Sequence, residues 1–222
     1  MESRRRFLKA GSAVAAGFPA ILKGASVSGV LKVGLVGCGG RGAGAAAQAL
    51  KADPAVELTA VSDVFAERVD ASLEQLQRNE KIRDRIKVES AAKHVGLDGF
   101  QKVIASVDVV LLATPPGFRP QHFRAAVDAG KHIFCEKPVG TDVPGVRSIL
   151  ASAEKAKEKG LSVVSGFCWR YNTAMRATFE QIHNGAIGDL VAYYATYYTS
   201  PVKPIPPATE RPAGMSDVEW QV

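Results

Sequence analysis

From Leu31 onward, short apolar runs alternate with longer amphipathic stretches. Leu31, Val33, Leu35 and Val36 form a run of strand length, and an alanine-rich segment over residues 43–50 follows it at once. The unit then recurs. Residues 56–62 are a second apolar run, and the polar segment over 66–79 places Val69, Leu73 and Leu76 on one helical face. Residues 83–95 are mixed, with a short strand expected at Ile86-Lys87-Val88 and a short helix over 99–104. Residues 107–113 are almost continuously apolar, as a strand covered on both faces requires. Further helices are predicted over 119–129 and 143–159, stopped by Gly130 and Gly160, and further strands over 132–135 and 161–165. No internal repeat is present. This alternation predicts a doubly wound α/β domain with a parallel sheet, ending near Gly166.

Past Gly166 the pattern changes. Asn172 is placed to cap a helix over 173–183, with Gly185 as its stop. Residues 190–199 read as a strand rich in tyrosine (Tyr193, Tyr194, Tyr197, Tyr198), although its alternation is weak. A loop with Pro201, Pro204, Pro206, Pro207 and Pro212 follows, and Ser216-Asp217-Val218-Glu219 has the S-x-x-E form of a capping box. One helix and one strand do not bury their own apolar faces. The expectation is therefore a second, α+β domain that the chain only begins. The predicted organisation is an N-terminal segment over 1–29, a nucleotide-binding domain over 30–166 and the truncated start of a second domain over 167–222.

Composition changes this picture little. The 222 residues are 46% apolar, which suits a globular protein. The net charge of +6 is concentrated at the N-terminus, where Arg4, Arg5, Arg6, Lys9 and Lys23 face only Glu2. The remainder lacks a basic stripe, which argues against a nucleic-acid partner. Cys38, Cys135 and Cys168 are odd in number and widely spaced, so neither a disulfide framework nor a C-x-x-C zinc site is expected. All three fall at the ends of predicted strands and read as small buried thiols. His94, His122, His132 and His183 are scattered, and no metal-ligand cluster is visible.

Candidate chemistry gathers after the strands. Gly37-Cys38-Gly39-Gly40-Arg41-Gly42 leads from the first strand into the first helix with the G-x-G-x-x-G spacing that holds a dinucleotide pyrophosphate. One glycine permits the tight turn, one lets backbone approach the phosphates, and one lets helix and strand pack closely. The helix N-terminus adds free N–H groups and a partial positive charge. Asp63 ends the second strand, where a carboxylate accepts hydrogen bonds from ribose hydroxyls and repels a 2′-phosphate; this favours NAD over NADP. Thr114-Pro115-Pro116 and Glu136-Lys137-Pro138 follow later strands, and Trp169-Arg170-Tyr171 lies just past the last. In doubly wound sheets the ligand lies beyond the strands' carboxyl ends, so this convergence marks a site.

At Phe134-Cys135-Glu136-Lys137-Pro138 the sequence resembles the Gfo/Idh/MocA oxidoreductase family (glucose-fructose oxidoreductase, inositol dehydrogenase and relatives). The resemblance extends through the glycine loop, Ser62-Asp63-Val64, Ala113-Thr114-Pro115, His122 eight positions past Thr114, and residues 166–172. It implies a Rossmann-type fold and hydride transfer between NAD(P) and a hydroxyl-bearing carbon of a sugar or polyol. It also implies that Lys137 is the catalytic acid–base group near the nicotinamide, where burial and the cationic ring would lower its pKa. Glu136 would contact the nicotinamide-side ribose, His122 would lie near the nicotinamide, and Arg170 near cofactor or substrate. The family's second catalytic group comes from the following domain, and no residue here matches it. The family's usual subunit contacts use that domain's sheet, so a homo-oligomer is expected only of a full-length protein. The same fold also hosts glycoside hydrolases that oxidise transiently with held NAD, which leaves that class, and a non-catalytic nucleotide-binding module, as rivals.

Ser3-Arg4-Arg5-Arg6-Phe7-Leu8-Lys9 resembles the twin-arginine export signal at every defined position. A weakly apolar region over 10–22 follows, short for a membrane span. The twin-arginine export machinery, which carries folded proteins, is the partner this implies. The expected location is periplasmic or secreted, with an uncleaved signal as a further route to membrane anchoring.

Overall fold

The computed structural model describes residues 29–199 and 207–220. The predicted export segment up to residue 28, Pro201, Pro204 and Pro206 of the proline-rich loop, and residues 221–222 lie outside the described residues. The chain divides into two compact units, Met1–Ser165 and Gly166–Val222.

The first unit alternates strand and helix throughout: β1 (Leu31–Val36), α1 (Gly40–Ala52), β2 (Val56–Asp63), α2 (Ala66–Gln77), β3 (Lys93–Val95), α3 (Gly99–Ser106), β4 (Val109–Leu112), α4 (Arg119–Asp128), β5 (His132–Cys135), α5 (Val143–Glu158) and β6 (Val163–Ser165). Its six strands form one sheet in the order β3-β2-β1-β4-β5-β6. Every pairing is parallel. This is the Rossmann order, in which the direction of winding reverses between β1 and β4 and opens a crevice beyond their carboxyl ends.

Alternation along the strands sends side chains to two cores, one on each face of the sheet. Val33 and Leu35 of β1 pack with Ala46 and Leu50 of α1 and with Val69, Leu73 and Leu76 of α2. Val36, Val110, Leu112, Ile133 and Cys135 pack on the opposite face with Phe100, Val103 and Ile104 of α3, Phe123 and Val127 of α4, and Ile149 of α5. Asp142 caps α5 by accepting from the Gly145 N–H at 2.7 Å, a local interaction typically worth about 1 kcal/mol.

One expected strand of this unit differs from the structure. The short strand expected at Ile86-Lys87-Val88 is only an isolated parallel bridge from Ile86 to Leu58. The third strand is Lys93–Val95, reached through a 3-10 turn over Ser90–Ala92 and paired with the end of β2. Three residues carry no readable periodicity, so the free edge of β2 decided which segment paired.

The second unit is described by itself. Its 3-10 turn Cys168–Tyr171 leads into α6 (Thr173–His183), and Asn172 caps that helix by accepting from the Met175 N–H at 3.0 Å. The short α7 (Asp217–Trp220) is opened by the expected capping box: the Ser216 N–H donates to Glu219 Oε2 at 2.8 Å, and the Glu219 N–H donates to Ser216 Oγ at 3.2 Å. Residues 190–199 form no ladder, and Tyr193, Tyr194, Tyr197 and Tyr198 are exposed. The strand preference of aromatic residues reflects packing against a neighbouring strand, and none of the described residues supplies one. Cys168, expected to be buried at a strand end, lies exposed in the 3-10 turn, whereas Cys38 and Cys135 are buried as expected.

Candidate functional site

β1, β2, β4 and β5 all end at one edge of the sheet, and their exits lock together. The Gly37 N–H donates to the Ser62 carbonyl at 2.8 Å, the Ala113 N–H to Val36 at 2.8 Å, and the Glu136 N–H to Leu112 at 2.9 Å. Gly37 has φ +95°, and a Cβ there would lie 2.7 Å from the Ala113 carbonyl carbon and from the Thr114 nitrogen. A Cβ on Gly42 would lie 1.9 Å from the Gly37 oxygen. These two glycines therefore serve the turn and the close helix–strand approach. Gly39 and Gly40 are exposed, and a Cβ on either would meet only open space. The α1 N-cap is Gly39, which has no side chain to satisfy the first-turn N–H groups. An open concavity above an uncapped helix start suits a diphosphate.

Cys38 contributes differently from its neighbours in the loop. Its N–H donates to Asp63 Oδ2 at 2.7 Å, and its thiol is buried against the Ser62 carbonyl at 3.4 Å. Burial, then the Asp63 charge, push that thiol up to about 12, against the opposing hydrogen bond to Ser62. Asp63 is buried and also accepts from the Phe65 N–H through Oδ1 at 3.1 Å. Each carboxylate oxygen keeps further acceptor capacity beyond these bonds, which is what a ribose diol at the end of β2 would use.

Glu136 is only 3% exposed. Arg41, from the first turn of α1, reaches its Oε1 with Nε at 2.6 Å and Nη2 at 2.5 Å, and the Lys137 N–H donates to its Oε2 at 3.2 Å. The ion pair joins the glycine loop to the end of β5 across the crevice between β1 and β4. Lys137 is exposed. The burial expected around it is not supplied by the described residues, because its segment leaves the sheet at the strand's end. The Lys137–Pro138 peptide is cis.

His122 lies in α4 and is 5% exposed. Its ring stacks on Phe100 at 4.1 Å between centroids, and Nδ1 lies 3.3 Å from Thr114 Oγ1. Burial pulls its pKa down to about 4, so the ring is neutral at physiological pH. Thr114 and Pro115 are half-buried at the exit of β4. Arg170 belongs to the second unit, where it is exposed with its guanidinium 5.9 Å from the Phe167 ring centroid.

Reasoning from sequence missed Arg119. It is the first residue of α4 and only 5% exposed. Its Nη1 donates to the Glu136 carbonyl at 2.7 Å and to the Pro138 carbonyl. Burial lowers its pKa from the ordinary value, opposed by attraction to Cys135 and Glu136. A cation in the first turn of a helix opposes the macrodipole, and that misplaced charge was the available signal.

The sheet order, the open glycine loop, Asp63, and the Glu136–Lys137 segment together define a dinucleotide-type site at the switch point of a doubly wound sheet. Residues 31–165 match the oxidoreductase family with an NAD-binding Rossmann fold, the Gfo/Idh/MocA family, and the chain belongs to it. It is 26% identical over 176 residues to a dTDP-3,4-didehydro-2,6-dideoxy-alpha-D-glucose 3-reductase of Actinomadura kijaniata, covering 78% of this chain and 47% of that protein. It is 28% identical over 170 residues to a glycosyl hydrolase family 109 protein of Streptomyces coelicolor, covering 75% and 34%. Among solved structures, scyllo-inositol dehydrogenase from Lactobacillus casei with bound NAD(H) and scyllo-inositol superposes with a TM-score of 0.57 at 26% identity, covering 72% of this chain and 43% of that one. The chain thus spans less than half the length of these relatives.

Proposed function

We propose that this chain binds NAD in preference to NADP and supplies the cofactor half of an oxidoreductase site acting on a sugar- or polyol-like alcohol. One observation carries the reading: the ends of β1, β2 and β5 bring the open glycine loop, Asp63 and the Arg41–Glu136 pair to one crevice. Exposed Gly39 and Gly40 and the start of α1 would hold the diphosphate. Asp63 would accept from the adenosine ribose, and its charge disfavours a 2′-phosphate. Glu136 would accept from the second ribose. Thr114, Pro115 and neutral His122 would bound the nicotinamide pocket. Bound NAD supplies hydride acceptance. Lys137 would take the proton from the substrate hydroxyl as the C–H hydride departs, and an exposed amine gains the necessary shielding only from ligand and neighbouring protein.

Fluorescence titration with NADH and NADPH tests the binding. Tighter binding of NADH is expected, and equal affinities would refute the assigned role of Asp63. In the intact protein, Lys137→Ala is expected to abolish turnover; full activity in that variant would sink the mechanism.

The similarity to the glycosyl hydrolase family 109 protein favours a second reading, glycoside hydrolysis through transient oxidation by held NAD. Aglycone release without net NADH would select it, whereas net NADH from a free sugar selects the dehydrogenase. Purified chain that binds NADH and turns over neither substrate would mark a nucleotide-binding module. We also propose export by the twin-arginine route, on the strength of Ser3-Arg4-Arg5-Arg6-Phe7-Leu8-Lys9. A reporter fused to this segment should leave the cytoplasm only in cells with that pathway, and export unaffected by replacing Arg4 and Arg5 with lysine would refute it.

A further inference from the structure

We propose that Arg119 is a positioning residue: it holds the Glu136-Lys137-Pro138 segment in register for the nicotinamide half of a dinucleotide, an inference that rests on the dinucleotide reading above. Its guanidinium donates from Nη1 to the carbonyls of Glu136 and Pro138, the two residues that flank Lys137. Both side-chain groups of the segment, the Glu136 carboxylate and the Lys137 amine, hang from this clamped backbone.

Three features set Arg119 apart from an ordinary structural arginine. It is buried, and a buried charge is costly unless well hydrogen-bonded. It occupies the first turn of α4, where the macrodipole disfavours a cation. Among the described residues its Nε has no hydrogen-bond partner, so the site is not optimised as a neutralised ion pair. An apolar residue would fill the same space without these costs. What it would lack is a donor that reaches two carbonyls of a segment emerging from the sheet.

The neighbouring carboxylate is engaged from the other side. Arg41 of α1 holds Glu136 Oε1, so the segment is gripped by α4 through its backbone and by the glycine loop through its side chain. The two arginines divide the work. Arg41 sets where the carboxylate lies, and Arg119 sets the path of the chain on either side of Lys137. Loss of Arg119 frees the segment while leaving the glycine loop and Asp63 as they are, since neither contacts Arg119 through a hydrogen bond among the described residues.

The test compares two ligands on the 222-residue chain and its Arg119→Gln and Arg119→Lys variants. NADH spans the whole crevice, whereas ADP engages only the adenosine and diphosphate end. Arg119→Gln is expected to weaken NADH roughly tenfold or more while ADP stays within about twofold. Hydrogen exchange at Lys137 and Val139 should accelerate by about tenfold or more, with the β1 and β4 amides unchanged. Arg119→Lys, which still offers several donors, should recover part of the NADH affinity. Equal loss of both ligands, or no loss of either, overturns the positioning role. If Arg119→Gln does not fold, Arg119→Lys decides by the same criterion: selective weakening of NADH supports the role, and equal or no weakening overturns it. A wild-type chain that binds neither ligand overturns the dinucleotide reading, and the positioning role with it.

Discussion

Alanine at Gly42 drives a methyl group into the backbone of the glycine loop. The new Cβ would lie 1.9 Å from the Gly37 oxygen, 3.1 Å from its carbonyl carbon and 3.3 Å from the Ala113 Cβ. The closest approach falls about 1.1 Å short of the 3.0 Å that real Cβ contacts respect, so the loop or the helix must move. Gly37 has no room to retreat, because its own Cβ position is already 2.7 Å from the backbone of Ala113 and Thr114. Overpacking of this kind costs about 1–3 kcal/mol, and the better helix propensity of alanine returns up to ~1 kcal/mol. An approach as short as 1.9 Å places the cost near the top of that range, so the net expectation is a loss of about 2 kcal/mol in urea unfolding, with NADH binding lost as well because the turn is displaced. Gly39→Ala is the control. Its Cβ meets nothing within 4 Å and φ is an ordinary −66°, so stability should stay within about 1 kcal/mol of wild type. The methyl would instead occupy the open concavity, and NADH affinity should fall by roughly tenfold or more. A Gly42→Ala protein as stable as wild type would refute the packing argument. A Gly39→Ala protein that binds NADH undiminished would refute the placement of the diphosphate.

Three more outcomes can be measured. Arg41→Ala leaves the buried Glu136 carboxylate without its guanidinium and should destabilise by about 1–3 kcal/mol in urea; the double variant Arg41→Ala/Glu136→Gln should recover part of that loss, since the group left buried is then a neutral amide rather than an unpaired carboxylate. The His122 pKa of about 4, against an ordinary 6.5, means that the unfolded chain binds this proton first as pH falls. Its contribution is complete above pH 6.5 and is lost on descent toward pH 4, on the order of 3 kcal/mol, and His122→Gln should flatten that portion of the stability–pH profile. Native protein should react with a thiol reagent at Cys168 alone, with Cys38 and Cys135 reacting only on unfolding, because burial pushes their pKa values up to about 12 and about 11; rapid labelling of more than one thiol in the folded protein would contradict this.

The sequence by itself determined the helices and the longer strands of the sheet, and the glycine-loop and capping patterns. Apolar runs at strand length, the glycine spacing and the S-x-x-E box act within a few residues, so they are readable without knowing what packs where. The Asn172 cap and the Ser216–Glu219 box form as their local patterns dictate. Tertiary structure alone decided the rest. Arg41 and Glu136 are 95 residues apart, and they meet because the parallel sheet places β5 two strands from β1 with both strand exits at the same end. Arg119 and His122 sit three residues apart on α4, yet one clamps the strand exit and the other stacks on Phe100 of α3. The same dependence on partners explains residues 190–199, whose aromatic composition suggested a strand: backbone pairing requires a neighbour, and no local pattern supplies one. Local periodicity specifies which segments fold as helix or strand, whereas burial, ion pairing and the shifted titration of His122 depend on contacts between segments distant in the chain.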